Sequence, residues 1–322
     1  MGTVVFLFRR ILAGIVVVYV VATLTFLLFF KAVPPIDVAR LLAGKAATPT
    51  QLASVARTHG LDLPWYTQYG HFLWRLLHGD LGYSYYSQEP VTTIIKQGIP
   101  ATVSLVIGGM LLWLIAGLSV GILSATRPRT LFDRTSTMGV LAGVSAPTFV
   151  IGQLLILLVF VPLSQHGFTW ITTGYNPLSA GISAWAGAMI LPWVTLAVVQ
   201  AAVYTRLSRG SLLDTLGEDF IRTARAKGLS ERRVLYRHAV RAAMTPVVSQ
   251  LGVDIGALLG GVVVVEQVFG LQGIGETTVQ AITQGDGQLV LGFVIIATVF
   301  VVVANLVVDM AYAALDPRVR IS

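Results

Sequence analysis

The stretch "DFIRTARAKGLSERRVLYRHAVRAAMTP", Asp219 to Pro246, carries seven Lys and Arg residues, yet apolar runs long enough to cross a bilayer flank it on both sides. Its local signals predict two helices around a turn. Asp214, Glu218 and Asp219 stand near the start of the first helix, where acids complement the positive end of the helix dipole. Gly228 suits the left-handed conformation that closes a helix, and Ser230 is placed to cap a second helix starting at Glu231. A cationic helix–turn–helix between membrane spans admits three readings. It could read nucleic acid, it could be a plain solvated loop, or it could be a rigid bracket that another protein grips. DNA-reading helix–turn–helix motifs are soluble modules with their own core, and this one is tethered to membrane at both ends. The bracket is therefore preferred, with no nucleic-acid partner.

Working outward, six apolar segments reach the ~20 residues needed to span a ~30 Å hydrocarbon layer. They are about 11–30, 100–124, 138–161, 184–204, 247–268 and 289–312. The chain of 322 residues is 55% hydrophobic and only 11% charged, well under the ~25% of soluble domains. The expected fold is therefore an all-α polytopic membrane protein with six transmembrane helices. Its division would be 1–98, the first span with a long external loop, and 99–322, a core with a cytoplasmic loop at 205–246. The uncharged run Ile11–Phe30 reads as a retained span, longer than a signal-peptide core and without a small-residue cleavage site after it. Net charge is +7. Lys and Arg concentrate at Arg9 and Arg10, at Arg127–Arg134, at Arg206–Arg241 and at Arg318 and Arg320. The remaining six lie in the long loop between Lys31 and Lys96. Short-loop bias places the basic side, and so both termini and the opening stretch, in the cytoplasm.

The long external loop holds two helix patterns. "TPTQLASVARTHG" offers Thr48 as N-cap, Pro49 at the first helical position and Gly60 as the stop. In "DLPWYTQYGHFLWRLLHG", Trp65, Tyr69, Phe72, Leu73, Leu76 and Leu77 recur at helical spacing up to Gly79. This second helix either packs on the outer ends of the spans or touches ligand. Pro147 and Pro192 fall inside predicted spans as kinks or hinges. Gly252, Gly256 and Gly260, with Ala257 and Gly261 beside them, predict a face for close helix–helix packing. Glu266 and Asp309 stand near span ends, where solvated or capping roles are expected. Asp254 is deeper, and is either hydrogen-bonded to a neighbouring helix or part of a cation or proton pathway.

Several chemistries find no support. With no Cys there is no disulfide and no thiolate metal site. None of the five His stands in a metal-ligand motif, so no metal site is expected. There is no phosphate-binding G-x-x-x-x-G-K-[ST] and no G-x-S-x-G. No catalytic residue and no bound cofactor are expected.

The bracket resembles the "EAA" loop of ABC-importer permeases, E-A-A-x-x-x-G-x9-I-x-L-P. Aligned on Gly228, this chain has Arg222, Thr223 and Ala224 in place of E-A-A and His238–Arg241 in place of I-x-L-P, so Ala224 and Gly228 match strictly. "RTARAKGLSERRVLYRHAVRAAMTPVV", "GLDLPWYTQY", "GDLGYS", "VVVVEQVFGLQGIG" and "DPRVR" are similar to the dipeptide/oligopeptide and nickel permeases. The likeness covers nearly the whole chain. Gln272 departs from it, standing where that family often has Pro. The resemblance implies the membrane subunit of an ATP-driven, binding-protein-dependent type I importer, most commonly of di- or oligopeptides, in a bacterial or archaeal plasma membrane. It implies a second permease, two cytoplasmic ATPase subunits that hold the ATP and Mg, an external solute-binding protein, and surrounding lipid. It places the ATPase-coupling helix at about Glu218–Gly228. The expected coupling residues are Glu218, Asp219, Arg222, Thr223, Ala224, Arg225, Lys227, Gly228 and Leu229, with Arg222, Arg225 and Lys227 read as contacts to acidic rim groups. The competing class is an ion-coupled carrier or channel that works alone through Asp254.

Overall fold

The computed structural model describes residues 3–32, 35–44, 47–58 and 60–315; within helices the side chains of 3–7, 31–32, 35, 41, 255–257, 259–260, 308–309 and 311–315 are left out of the description. "DPRVR", His59 and the side chains of Gly256, Ala257, Gly260 and Asp309 thus lie outside the described residues. The described residues form helices and no strand. In order these are α1 (Thr3–Ala32), α2 (Pro35–Ala43), α3 (Pro49–Thr58), α4 (Trp65–Leu77), α5 (Val91–Thr126), α6 (Leu131–Ser145), α7 (Thr148–Leu155) and α8 (Val161–Gln165). Then come α9 (Ile182–Leu216), α10 (Asp219–Ala226), α11 (Glu231–Arg233), α12 (Val240–Phe269), α13 (Ile274–Gln284) and α14 (Gly287–Leu315). Five segments are long and apolar enough to cross a membrane: Phe8–Phe30, Val91–Thr126, Thr148–Gln165, Ile182–Leu216 and Gly287–Val307. The protein is an all-α polytopic membrane protein.

The third apolar segment differs from expectation. A single span over 138–161 does not form, because Ala146 and Pro147 take extended backbone, with ψ 125° and 137°, and separate α6 from α7. The residue before a proline is pushed out of the helical region, so Pro147 starts a helix instead of kinking one. The crossing segment here is α7, a π-helical turn at Ile156–Phe160, and α8. Pro192, by contrast, lies inside an unbroken α9.

The chain divides into two compact units. One comprises residues 101–275 with the end of α14. Within it α9 packs against α6, α7 and α12. Gly117 and Gly121 of α5 face α9 so closely that a Cβ on Gly117 would sit 2.8 Å from Tyr204 Cβ, and one on Gly121 2.8 Å from Thr205 O. This G-x-x-x-G pair on α5 brings two backbones together, and the sequence reading had assigned such a face only to α12. At one end of the unit Asp133 of α6 accepts from Arg209 of α9 at 2.6 and 2.9 Å and from Arg129 N at 2.9 Å. It also accepts from the Ser124 hydroxyl of α5. The Arg209 guanidinium first, then the Ser124 hydroxyl and the Arg129 amide, hold the Asp133 carboxyl below the usual carboxylate range.

The other unit gathers residues 3–100 with 276–303. Helices α1 and α14 run antiparallel in it: a Cβ on Gly287 would meet Phe29, and one on Gly14 would meet Val302. Thr48 caps α3 as expected, its amide donating to Gln51 Oε1 at 2.8 Å and its hydroxyl accepting from Gln51 N at 3.4 Å. Helix α4 packs along α1, with Phe72 stacked on Phe26 at 5.3 Å and Tyr69 hydrogen-bonded to Thr23 at 2.7 Å. Trp65 and Leu77, assigned to that packing face, are instead exposed, because the first and last turns of α4 overrun its contact with α1. The "GDLGYS" loop docks on the start of α14, where Asp286 accepts from the Ser84 hydroxyl, from Tyr86 N at 3.2 Å and from Leu289 N at 3.1 Å.

Candidate functional site: the basic elbow and the core beneath it

The basic stretch folds as two helices joined by a tight corner. Helix α10 spans Asp219–Ala226 with Glu218 at its N-cap position and Lys227 at its C-cap. Gly228 takes φ +75°, a conformation that costs a side-chain-bearing residue roughly 1 kcal/mol or more. Ser230 occupies the N-cap position before α11, but its side chain makes no capping bond; its carbonyl accepts from Arg233 N at 2.8 Å and Val234 N at 3.0 Å. From there α11 runs through a π-helical segment, Val234–Ala239, straight into α12. The segment 205–246, expected as a loop, is therefore almost wholly helical, joined to α9 at one end and α12 at the other.

The faces of α10 divide sharply. Ile221 (0% exposed) and Ala224 (8%) enter an apolar cluster with Ala125, Leu212, Val234, Ala239 and Ala243, and Leu229 packs against it. Ala224 and Leu229 thus seat the helix on its own chain. Outward lie Glu218, Asp219, Arg222, Thr223, Arg225 and Lys227. Arg225 forks onto Glu231 at 2.8 and 3.3 Å across the corner, and Arg222 pairs with Asp219 at 3.3 Å. Such exposed pairs contribute well under 1 kcal/mol each to stability, but they orient the guanidinium groups. Phe220 is 46% exposed among these charges, and Tyr236 is exposed on the following segment. Charge counting passed over both. The signal was there: an apolar residue directly beside the two acids at the helix start, out of phase with Ile221 and Ala224.

The two acids of α12 behave differently from one another. Glu266 is fully buried, which excludes the solvated one of the two roles expected of it and leaves the capping one. Thr102 Oγ1 donates to it at 2.6 Å while accepting from Ile274 N at 2.8 Å, so the carboxylate is held beside the start of α13. A Cβ on Gly273 would sit 2.6 Å from Glu266 Oε2, and one on Gly275 2.8 Å from Val263 Cα. The "EQVFGLQGIG" run is thus a turn folded over its own acid, and its glycines make room for the carboxylate. Gln272 in this turn has φ +53°, which proline cannot reach. Here the turn departs physically from a proline-containing one.

Asp254 is 8% exposed. Its Oδ1 accepts from Gln250 Nε2 at 2.8 Å, one turn back on α12, and the carboxylate also interacts with Tyr204 of the neighbouring α9. Its Oδ2, Tyr204 Oη and Trp113 Nε1 are buried without a hydrogen-bond partner among the described residues. Trp113 and Tyr204 lie with ring centroids 6.4 Å apart. Gly252 is half-buried on the same helix. No cluster of metal-ligating side chains occurs among the described residues.

With this architecture in view, the comparisons are decisive about class. The family described as "binding-protein-dependent transport system inner membrane component" matches residues 117–321, and its N-terminal companion matches residues 3–106. The glutathione transport system permease protein GsiC of Escherichia coli O6:H1 is 37% identical over 315 residues, covering 98% of each chain. The dipeptide transport system permease protein DppB of Escherichia coli K12 is 34% identical over 335 residues, again covering 98% of each. The chain belongs to the family of inner-membrane permease components of binding-protein-dependent ABC importers.

Proposed function

We propose that this chain imports short peptides as one of two permease subunits, with two ATPase subunits in the cytoplasm and a solute-binding protein outside. Six helices cross the bilayer, the five found by length and apolarity together with α12, and both termini face the cytoplasm. The peptide assignment rests on the likeness to relatives named for dipeptide and glutathione transport. The single observation that carries the mechanism is the seating of α10. It is fixed to its own chain by Ile221 and Ala224, and it presents Asp219, Phe220, Arg222, Thr223, Arg225 and Lys227 outward.

The physical need is plain. No nucleotide motif is present, so uphill transport requires a partner whose ATP-dependent states favour different arrangements of this chain. A helix held on an apolar base, with Phe220 to enter a pocket and cations to meet acidic rim groups, can pass a partner's displacement to α9 and α12. A solvated loop cannot. Inserting Gly-Gly between Gly228 and Leu229 tests this. In proteoliposomes of the whole complex, ATP hydrolysis is expected to persist while uptake of a labelled dipeptide is lost. Normal uptake would sink the coupling role. Parallel uptake of labelled glutathione and nickel ion tests the solute class.

A further inference from the structure

The unit made of residues 3–100 and 276–303 encloses a cavity of about 400 Å³ that importer chemistry does not require. Its apolar wall is built by Phe26, Phe29 and Phe30 of α1 and Leu291 of α14. These residues lie in the last turns of one membrane-crossing segment and the first turns of another. The cavity therefore sits where the hydrocarbon layer gives way to headgroups. His71 and Arg75, one turn apart on α4 and both exposed, form its rim.

The polar groups lining it indicate what it takes. Gln68 Nε2 is committed to the Leu61 and Leu63 carbonyls at 3.2 and 2.8 Å. Gln288 Nε2 donates to Leu81 O at 2.7 Å, and its Oε1 accepts from Tyr85 at 3.5 Å. Among the described residues, Arg75 has no ion-pair partner, and its charge acts on the Tyr85 hydroxyl, whose pKa burial pushes up. What the cavity offers is thus positive charge at one end and aromatic and aliphatic surface at the other. It has few amide-type partners to spare. A peptide entering would leave its backbone groups unpaired, at a cost of about 1–3 kcal/mol each. An anion with a hydrocarbon body would not.

We propose that this cavity binds an outer-leaflet phospholipid with an anionic headgroup. Arg75 and His71 hold the phosphate through charge-assisted hydrogen bonds, and the upper acyl chain lies among Phe26, Phe29, Phe30 and Leu291. The rest of the chain continues down the side of α1 on which Leu24 and Leu28 are exposed. The volume is at the lower end of small-ligand sites, which suits a headgroup and the start of one chain. The inference rests on the membrane setting, and its choice of leaflet on the proposed cytoplasmic placement of the termini; it holds or fails independently of which solute is imported.

Trp74, also in the lining, is the reporter. The purified, delipidated complex is titrated with phosphatidylglycerol or phosphatidylcholine carrying the same brominated acyl chains. Quenching of Trp74 is obtained as the difference between the native complex and its Trp74→Phe variant. Phosphatidylglycerol is expected to reach half-saturation at roughly tenfold lower concentration than phosphatidylcholine. Arg75→Gln is expected to abolish that preference, whereas Arg57→Gln, on α3 of the same unit, is expected to keep it; thermal melting checks that both variants are folded. Equal half-saturation by the two lipids, or a preference that survives Arg75→Gln, would overturn the proposal. Displacement of phosphatidylglycerol from Trp74 by leucyl-leucine would overturn it in favour of a peptide subsite.

Discussion

At the scale of single residues, three buried or strained positions yield distinct expectations. Gln272 sits at φ +53°, so Gln272→Gly removes local strain and is expected to raise the melting temperature slightly, by the equivalent of up to about 1 kcal/mol. Gln272→Pro cannot adopt that φ and is expected to lower it by more. Thermal unfolding of the detergent-solubilised protein compares them. Asp133 titrates below the ordinary carboxylate range, so its folded-state pKa is depressed. Its stabilisation is therefore complete above the unfolded value of about 3.9 and is lost as pH falls through the folded one. Asp133→Asn is expected to melt at lower temperature than the native chain at pH 7, with the gap narrowing as pH drops below about 4. A pH series of melts reads this directly. Asp254 accepts from Gln250 on its own helix and faces Tyr204 of α9; an amide keeps an acceptor for both, so Asp254→Asn is expected to have a modest effect on ATP-driven uptake, within about threefold. In an ion-coupled carrier Asp254→Asn would abolish transport. Uptake with and without an imposed ion gradient separates the two.

At the scale of elements, the α5–α9 contact and the elbow matter most. Gly121 leaves no space for a side chain against Thr205 O, so Gly121→Val forces the helices apart and is expected to cost about 1–3 kcal/mol. The loss is measured as a fall in melting temperature; an unchanged value would mean that α5 and α9 are not held this closely. The helical character of α10, its stop at Gly228 and the cap of α3 at Thr48 were legible in the sequence, because caps and left-handed glycines are local devices. The inward turn of Ala224 was not. A motif match shows that a residue type is required and leaves open whether the requirement is contact or packing. The break at Pro147 had a local cause, but hydropathy averaged over some twenty residues conceals it.

At the scale of the whole molecule, the basic residues counted for topology also do structural work. Arg209 closes the Asp133 junction that joins the ends of α5, α6 and α9, and α9 then leads to the elbow at Leu216. A displacement applied to α10 thus meets helices that are clamped together near their ends. Arg209→Gln is expected to leave membrane insertion intact while reducing uptake per ATP hydrolysed severalfold. Simultaneous measurement of hydrolysis and uptake in proteoliposomes decides this, and an unchanged ratio would confine Arg209 to stability.

The sequence by itself determined the membrane class, the helical content and the position of the basic bracket. Those depend on composition, run length and caps, each set within a few turns of chain. Only the tertiary structure decided which acids are buried and by what they are held. Glu266 meets Thr102, Asp133 meets Arg209 and Asp286 meets Ser84 across separations of 76 to 202 residues. The glycines that matter for packing, and the cavity rimmed by Arg75, were likewise decided only there. Such meetings depend on the three-dimensional course of helices past one another, and no local pattern encodes which face of one helix will find which face of another.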